Sequence, residues 1–249
     1  MNPAQAASNL DRLMDQASQA LVQTDYFVAE KLCVRALRQA HKAGDFERLA
    51  RICLPLQEAR RQRRMLALDA GLRVTLSALP NPKDLLPGLY LVQPPLIGLD
   101  ARHLRESLFA AGTPALVLAR EPMTRAGLWP VVAVGSGGLT DTLTVRVRVA
   151  PPPGVTPRET GITRDHAEEP PSAEWFIAAG EALGDAAIAQ IPTDLHPAWR
   201  VDDLVRALDA HPDHEKLHQR LADACRAAAV SAPPTGTRRR AVHDHPFSF

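Results

Sequence analysis

Aromatic residues are scarce: Phe, Trp and Tyr together fill 4% of 249 positions. Ala and Leu dominate the apolar set, which favours packed helices over a large β-sandwich. Cysteine is scarcer still. Cys33, Cys53 and Cys225 are odd in number, far apart and without a C-x-x-C pair. Each falls on the apolar face of a predicted helix, so they read as buried small hydrophobes in a reducing compartment. Neither sign of charge prevails: 29 Lys and Arg against 28 Asp and Glu leave a net +1. No global field then steers the chain to nucleic acid or to an anionic membrane. Lysine is nearly absent, confined to Lys31, Lys42, Lys83 and Lys216. No apolar run approaches the roughly 18 residues that span a bilayer. The opening MNPAQAASNLDRLMDQ has neither a cationic n-region nor an apolar h-region, so no signal peptide and a cytoplasmic location are expected.

What the chain does have is an ordinary balance of 45% hydrophobic and 23% charged residues. Its length suits one large domain or two small ones. Apolar residues recur at helical spacing in three segments between residues 8 and 65. The first carries Leu10, Leu13, Met14, Ala17 and Leu21. Thr24 or Asp25 suits the cap of the second, whose stripe is Ala29, Leu32, Cys33, Ala36, Leu37 and Ala40, and Gly44 stops it. Asp45 suits the cap of the third, which carries Phe46, Leu49, Ala50, Cys53 and Leu56, with Pro55 expected to kink or break it. Ala17, Ala29 and Ala36 sit at spacings similar to the small-residue positions of a tetratricopeptide repeat. The segment resembles about one such repeat of roughly 34 residues, with His41 where the closing Pro is expected. The resemblance implies a helical hairpin whose apolar surface meets another protein.

The stretch LALDAGLRVTLSAL suits either an extension of the helices or a strand, before PNPKDLLPG breaks regularity. Residues 88–150 then read β-α-β-β-β. LYLVQPPLIG holds a strand, Asp100 caps ARHLRESLFAAG, PALVLAREP and WPVVAVG are buried strands, and LTVRVRVA alternates as an exposed one. Residues 173–192 form an apolar helix, and 201–210 with 213–230 a second helical hairpin. The expected fold class is α+β, with helical hairpins at both ends flanking a small mixed sheet with one packed helix. The expected regions are helical over 1–66, sheet over 67–150, a Pro-rich linker or loop over 151–172, helical over 173–230, and a mobile tail over 231–249.

Candidate sites are few. HPDHEKLH, residues 211–218, sets His214 and His218 four apart on one helix face, a spacing that metal-binding helices use. Pro212 suits the first helical position, and Asp213 with Glu215 suits a positive helix N-terminus. Both histidines fall on or beside the inward stripe Leu217, Leu221, Cys225 and Ala228. A third ligand has only His211 or His243 as near sources. The start of a helix therefore accounts for the stretch better than a metal site, and no metal or cofactor is expected.

Gln93, Asp100, Arg120 and Glu121 fall near strand ends or a helix start, where α/β sheets gather ligands. A cap and a surface ion pair explain them as well. GSGG at 135–138 precedes a strand, so a hairpin turn explains it better than a phosphate cradle. Arg60, Arg61, Arg63 and Arg64 end the third helix, and Arg238, Arg239 and Arg240 lie in the tail. They suit either a helix C-terminus or phosphate contacts to RNA or DNA. Phe247 and Phe249 close the chain as aromatic anchors for a partner's pocket. No nucleophile triad, P-loop or dinucleotide fingerprint is present. A non-catalytic protein-protein interaction or scaffold protein is the expected function. A small-molecule protein or enzyme using the 88–150 sheet, and a nucleic-acid protein using the Arg runs, are the alternatives.

Overall fold

A computed structural model describes residues 3–136, 142–155 and 169–236 of the chain. Three helices come first: α1 (Pro3–Val22), α2 (Tyr26–Ala43) and α3 (Phe46–Asp69). Asp25 and Asp45 cap α2 and α3, each accepting a hydrogen bond from a backbone N–H three residues on. Gly44 ends α2 at φ +68°, a left-handed position that glycine takes without strain. Pro55 lies within α3, which runs through it to Asp69.

The ambiguous stretch after residue 65 does both things its sequence allows. It lengthens α3 and then forms β1 (Arg73–Leu76), the edge of a five-stranded sheet. The other strands are β2 (Gly88–Val92), β3 (Ala115–Arg120), β4 (Trp129–Val134) and β5 (Thr144–Val149). Strands β1, β2 and β3 are parallel, and β4 and β5 are antiparallel additions. The α+β class and the mixed sheet flanked by helices are thus present.

Alternation decides which layer each strand residue joins. Tyr90, Val92, Val117, Ala119 and Val132 meet Ala101, Leu104 and Leu108 of α4 (Gly98–Ala110). Leu89, Leu91, Leu116, Leu118, Trp129 and Val131 face the opposite way, into one continuous apolar core shared with the terminal helices. Helix α5 (Ala173–Ala189) closes that side: Trp175 makes edge contacts with Trp129 and Phe176, and donates its indole N–H to the Ala150 carbonyl at 2.9 Å. Helices α6 (Pro197–Ala210) and α7 (Glu215–Val230) follow.

Helix α7 begins later than its sequence pattern suggests. Pro212 and Asp213 form a turn, and His214, extended at φ −88° and ψ 115°, is the residue before the helix. Pro212 is therefore not the first helical residue. Helix α4 likewise begins two residues before Asp100. Asp100 does not cap it from outside but reaches back from the first turn to accept the Ile97 N–H at 2.8 Å. Among the described residues, no helix is long and apolar enough to cross a membrane.

Candidate functional site

The Arg run does not end α3, which continues past Arg64 to Asp69, so these cations do not serve its C-terminus; Arg60 and Arg63 turn inward and Arg61 stays exposed. Arg60 and Arg63 both donate to Glu30 of α2, and all three side chains are nearly buried. Burial alone raises a carboxyl pKa, but the two guanidinium charges override it and hold Glu30 below the ordinary value. Arg64 binds Glu215 and the Asp213 carbonyl, and Arg61 binds Glu58. All four arginines are engaged within the chain. A nucleic-acid phosphate would have to compete with those carboxylates. Arg238, Arg239 and Arg240 lie outside the described residues, as do His243, Phe247, Phe249 and the second half of the GSGG turn.

His214-Glu215-Lys216-Leu217-His218 spells H-E-x-x-H letter for letter, and geometry, not spacing, decides its role. That motif needs both imidazoles on one helix, whereas His214 stands outside α7. The His218 Nδ1 lies 3.0 Å from the His214 carbonyl, which can only accept, so Nδ1 carries the proton. The Nε2 lone pair then accepts from Arg60 at 3.2 Å. A metal ion at that nitrogen would face a guanidinium cation. His211 donates Nε2–H to the Gly180 carbonyl at 2.9 Å and stacks on His214. Among the described residues, no group of three His, Cys, Asp or Glu is arranged to hold a metal.

The three imidazoles are buried and neutral. Burial first, and then the proximity of the His214 ring and the Arg105 guanidinium, pulls His211 down to about 3. Burial and then Arg60 lower His218. Burial also lowers His214, against the opposing pull of Glu181 and Asp185. Above an unfolded pKa of about 6.5, neither folded nor unfolded chain takes up these protons, and stability is flat. Below it the unfolded chain protonates first. His211 alone then removes about 1.4 kcal/mol per pH unit, down to its folded value. Urea midpoints are expected to fall between about pH 7 and about pH 5 for this reason. A constant midpoint would show that these rings protonate freely in the folded chain.

The four candidates around the sheet do not share one pocket. Arg120 is buried, donates to Gln93 Oε1 at 2.7 Å and stacks on Trp129. Glu121 pairs with Arg146 at the surface, at 2.7 Å. Asp100 serves α4.

An open cleft lies elsewhere. It has a volume of about 480 Å³ and lies between α2, α4 and the α6–α7 turn, lined by seven cationic side chains and four carboxylates. Its floor is fixed from α4. Arg105 donates to the Asp209 and Ala210 carbonyls at 3.0 and 2.8 Å, satisfying the end of α6. Arg102 reaches the Asp209 carboxylate at 2.8 Å. In one wall the Arg63 guanidinium lies over both Phe27 and Phe109, 4.8 Å from each ring centre, while the two rings contact each other at 5.6 Å. The rim is Lys31, Arg35 and Arg38, spaced i, i+4 and i+7 on α2 and so on one face. Arg35 and Arg38 are exposed and make no hydrogen bond or ion pair with any described residue.

Composition hides this cleft, because a net charge near zero averages over the whole chain. Lys31, Arg35 and Arg38 at helical spacing, opposite the inward Cys33, Ala36 and Leu37, mark the outward face of α2 in the sequence but not the elements that stand across from it. Comparison with known proteins finds no matching family model, no matching curated protein and no matching solved structure.

Proposed function

We propose that this chain is a non-catalytic protein-interaction protein that works through its helical surface, in the cytoplasm. One observation carries the reading: the outer face of α2 presents Lys31, Arg35 and Arg38 to solvent with no carboxylate of their own, beside the half-buried Phe109. Charges that stabilise a fold are usually paired, as Glu30, Arg60 and Arg63 are here. An unpaired cationic stripe beside an aromatic ring is the composition of a protein-binding face. The tetratricopeptide-like spacing of Ala17, Ala29 and Ala36 supports the same reading. The three buried free thiols support a reducing setting.

Affinity capture of the tagged full-length protein from its native cells, with and without nuclease, tests this. A stoichiometric protein partner that survives nuclease is the expected result. Partners lost with nuclease would replace this reading with nucleic-acid binding, and a solitary protein would shift attention to small ligands.

A further inference from the structure

Resting on that reading, we infer that the α2–α4 cleft is an anchor site for an acidic peptide segment, whose carboxylates lie along Lys31, Arg35 and Arg38 and reach the Arg63 edge below. Three features fit that occupant. First, the rim cations cover two turns of α2, about 10 Å at 1.5 Å per residue, which suits an extended segment rather than a single ion. Second, the Arg63 side chain is only 7% exposed, yet its Nε–H has no hydrogen-bond partner. A buried donor left unpaired costs free energy, and a carboxylate admitted by a small shift of the cleft side chains would satisfy it. Third, the lining is not uniformly cationic. Glu106, Asp209 and Asp213 lie among the arginines, where they can accept peptide N–H groups.

Those carboxylates argue against a nucleic-acid backbone, which offers a phosphate at every step and few donors. The aromatic rings argue the same way. Phe27 and Phe109 already stack on Arg63, and Lys31 lies 5.6 Å over Phe109, so neither ring is an open platform for bases.

The test is fluorescence anisotropy of a labelled hexaglutamate peptide against the full chain at about 50 mM salt, where screening is modest. The expected result is saturable binding that weakens as salt rises. The double variant Arg35→Glu/Arg38→Glu should weaken it by at least about 10-fold. Both sites are exposed, so an unchanged thermal midpoint confirms that the variant folds. A charge-matched control on α7, Arg220→Glu/Arg226→Glu, should change affinity less than about twofold, because those side chains do not line the cleft. No binding, equal weakening by both double variants, or displacement of the peptide by inorganic phosphate or a uridine hexanucleotide at lower concentration than by unlabelled peptide would overturn the inference. This outcome is separable from failure of the broader reading. A nuclease-resistant partner with no hexaglutamate binding overturns the anchor alone. Hexaglutamate binding with no captured partner overturns the interaction role instead.

Discussion

Glu30→Ala is expected to destabilise the protein by about 3–5 kcal/mol, the usual cost of removing one member of a buried ion pair. For a chain of this size that is a fall of roughly 6–20 °C in the thermal midpoint. The mechanism is not the loss of a contact alone. Arg60 and Arg63 would remain buried, with two guanidinium charges and no counterion. Arg60 also serves His218, so the damage should spread from the α2–α3 contact into the α3–α7 contact. Calorimetry of the variant against the parent checks this, with Glu58→Ala as the surface comparison. Glu58 is half-buried at the surface and pairs with Arg61, and its loss should cost under about 1 kcal/mol. Similar losses in the two variants would show that the Glu30 cluster is not a buried brace.

The Glu30 pair also has a pH signature. Its folded pKa is depressed, so its stabilisation is complete above an unfolded pKa of about 4.3 and is lost as pH falls below that. The buried histidines weaken the fold from about pH 6.5 downward. Acid unfolding should therefore come in two overlapping windows, with the imidazole window first.

Gly184→Ala should destabilise by about 3 kcal/mol, the upper part of the range for an overpacked core. Gly184 lies in the interior of α5, where Ala is ordinarily better than Gly by about 1 kcal/mol. Here a Cβ would overlap the ring of the buried His214. The ring lies against the helix backbone, and neither can retreat without opening the α5–α7 contact. The sign of the effect thus identifies the cause. His214→Ala in the same background should recover much of the loss, since the clash disappears with the ring. A urea-unfolding double-mutant cycle reads the coupling directly. A stabilising Gly184→Ala would mean that the imidazole does not occupy that position.

Local patterns carried the sequence reading furthest. The stripe through Leu32, Cys33, Ala36 and Leu37, with Asp25 before it and Gly44 after it, specifies α2 without reference to the rest of the chain. Strands β3 and β4 read as buried because they are continuous apolar runs, and both faces are covered as such runs require. Strand β1 was ambiguous because four residues with mixed polarity leave too short a period to separate a strand from a helix end.

The cleft was less legible, for a different reason. Arg60, Arg61, Arg63 and Arg64 look alike in the sequence. Only the position of Glu30, a partner 30 residues away from Arg60, decides that two of them are buried and paired. Conversely, Arg35 and Arg38 look unremarkable among many arginines, and gain interest only because α4 brings Arg102, Arg105 and Phe109 opposite them. Pairing across such distances is a property of the tertiary fold, and no local pattern encodes it. The same holds for H-E-x-x-H, whose letters match but whose first histidine lies outside the helix.

Paired affinity capture from native cells, with nuclease present, tests whether the outer face of α2 is a protein-docking surface. The parent chain and the Arg35→Glu/Arg38→Glu variant are compared at equal amounts. The expected result is a partner retained by the parent and lost by the variant, while both proteins unfold at the same temperature. A partner captured equally by the two would contradict it and place the interaction on another surface.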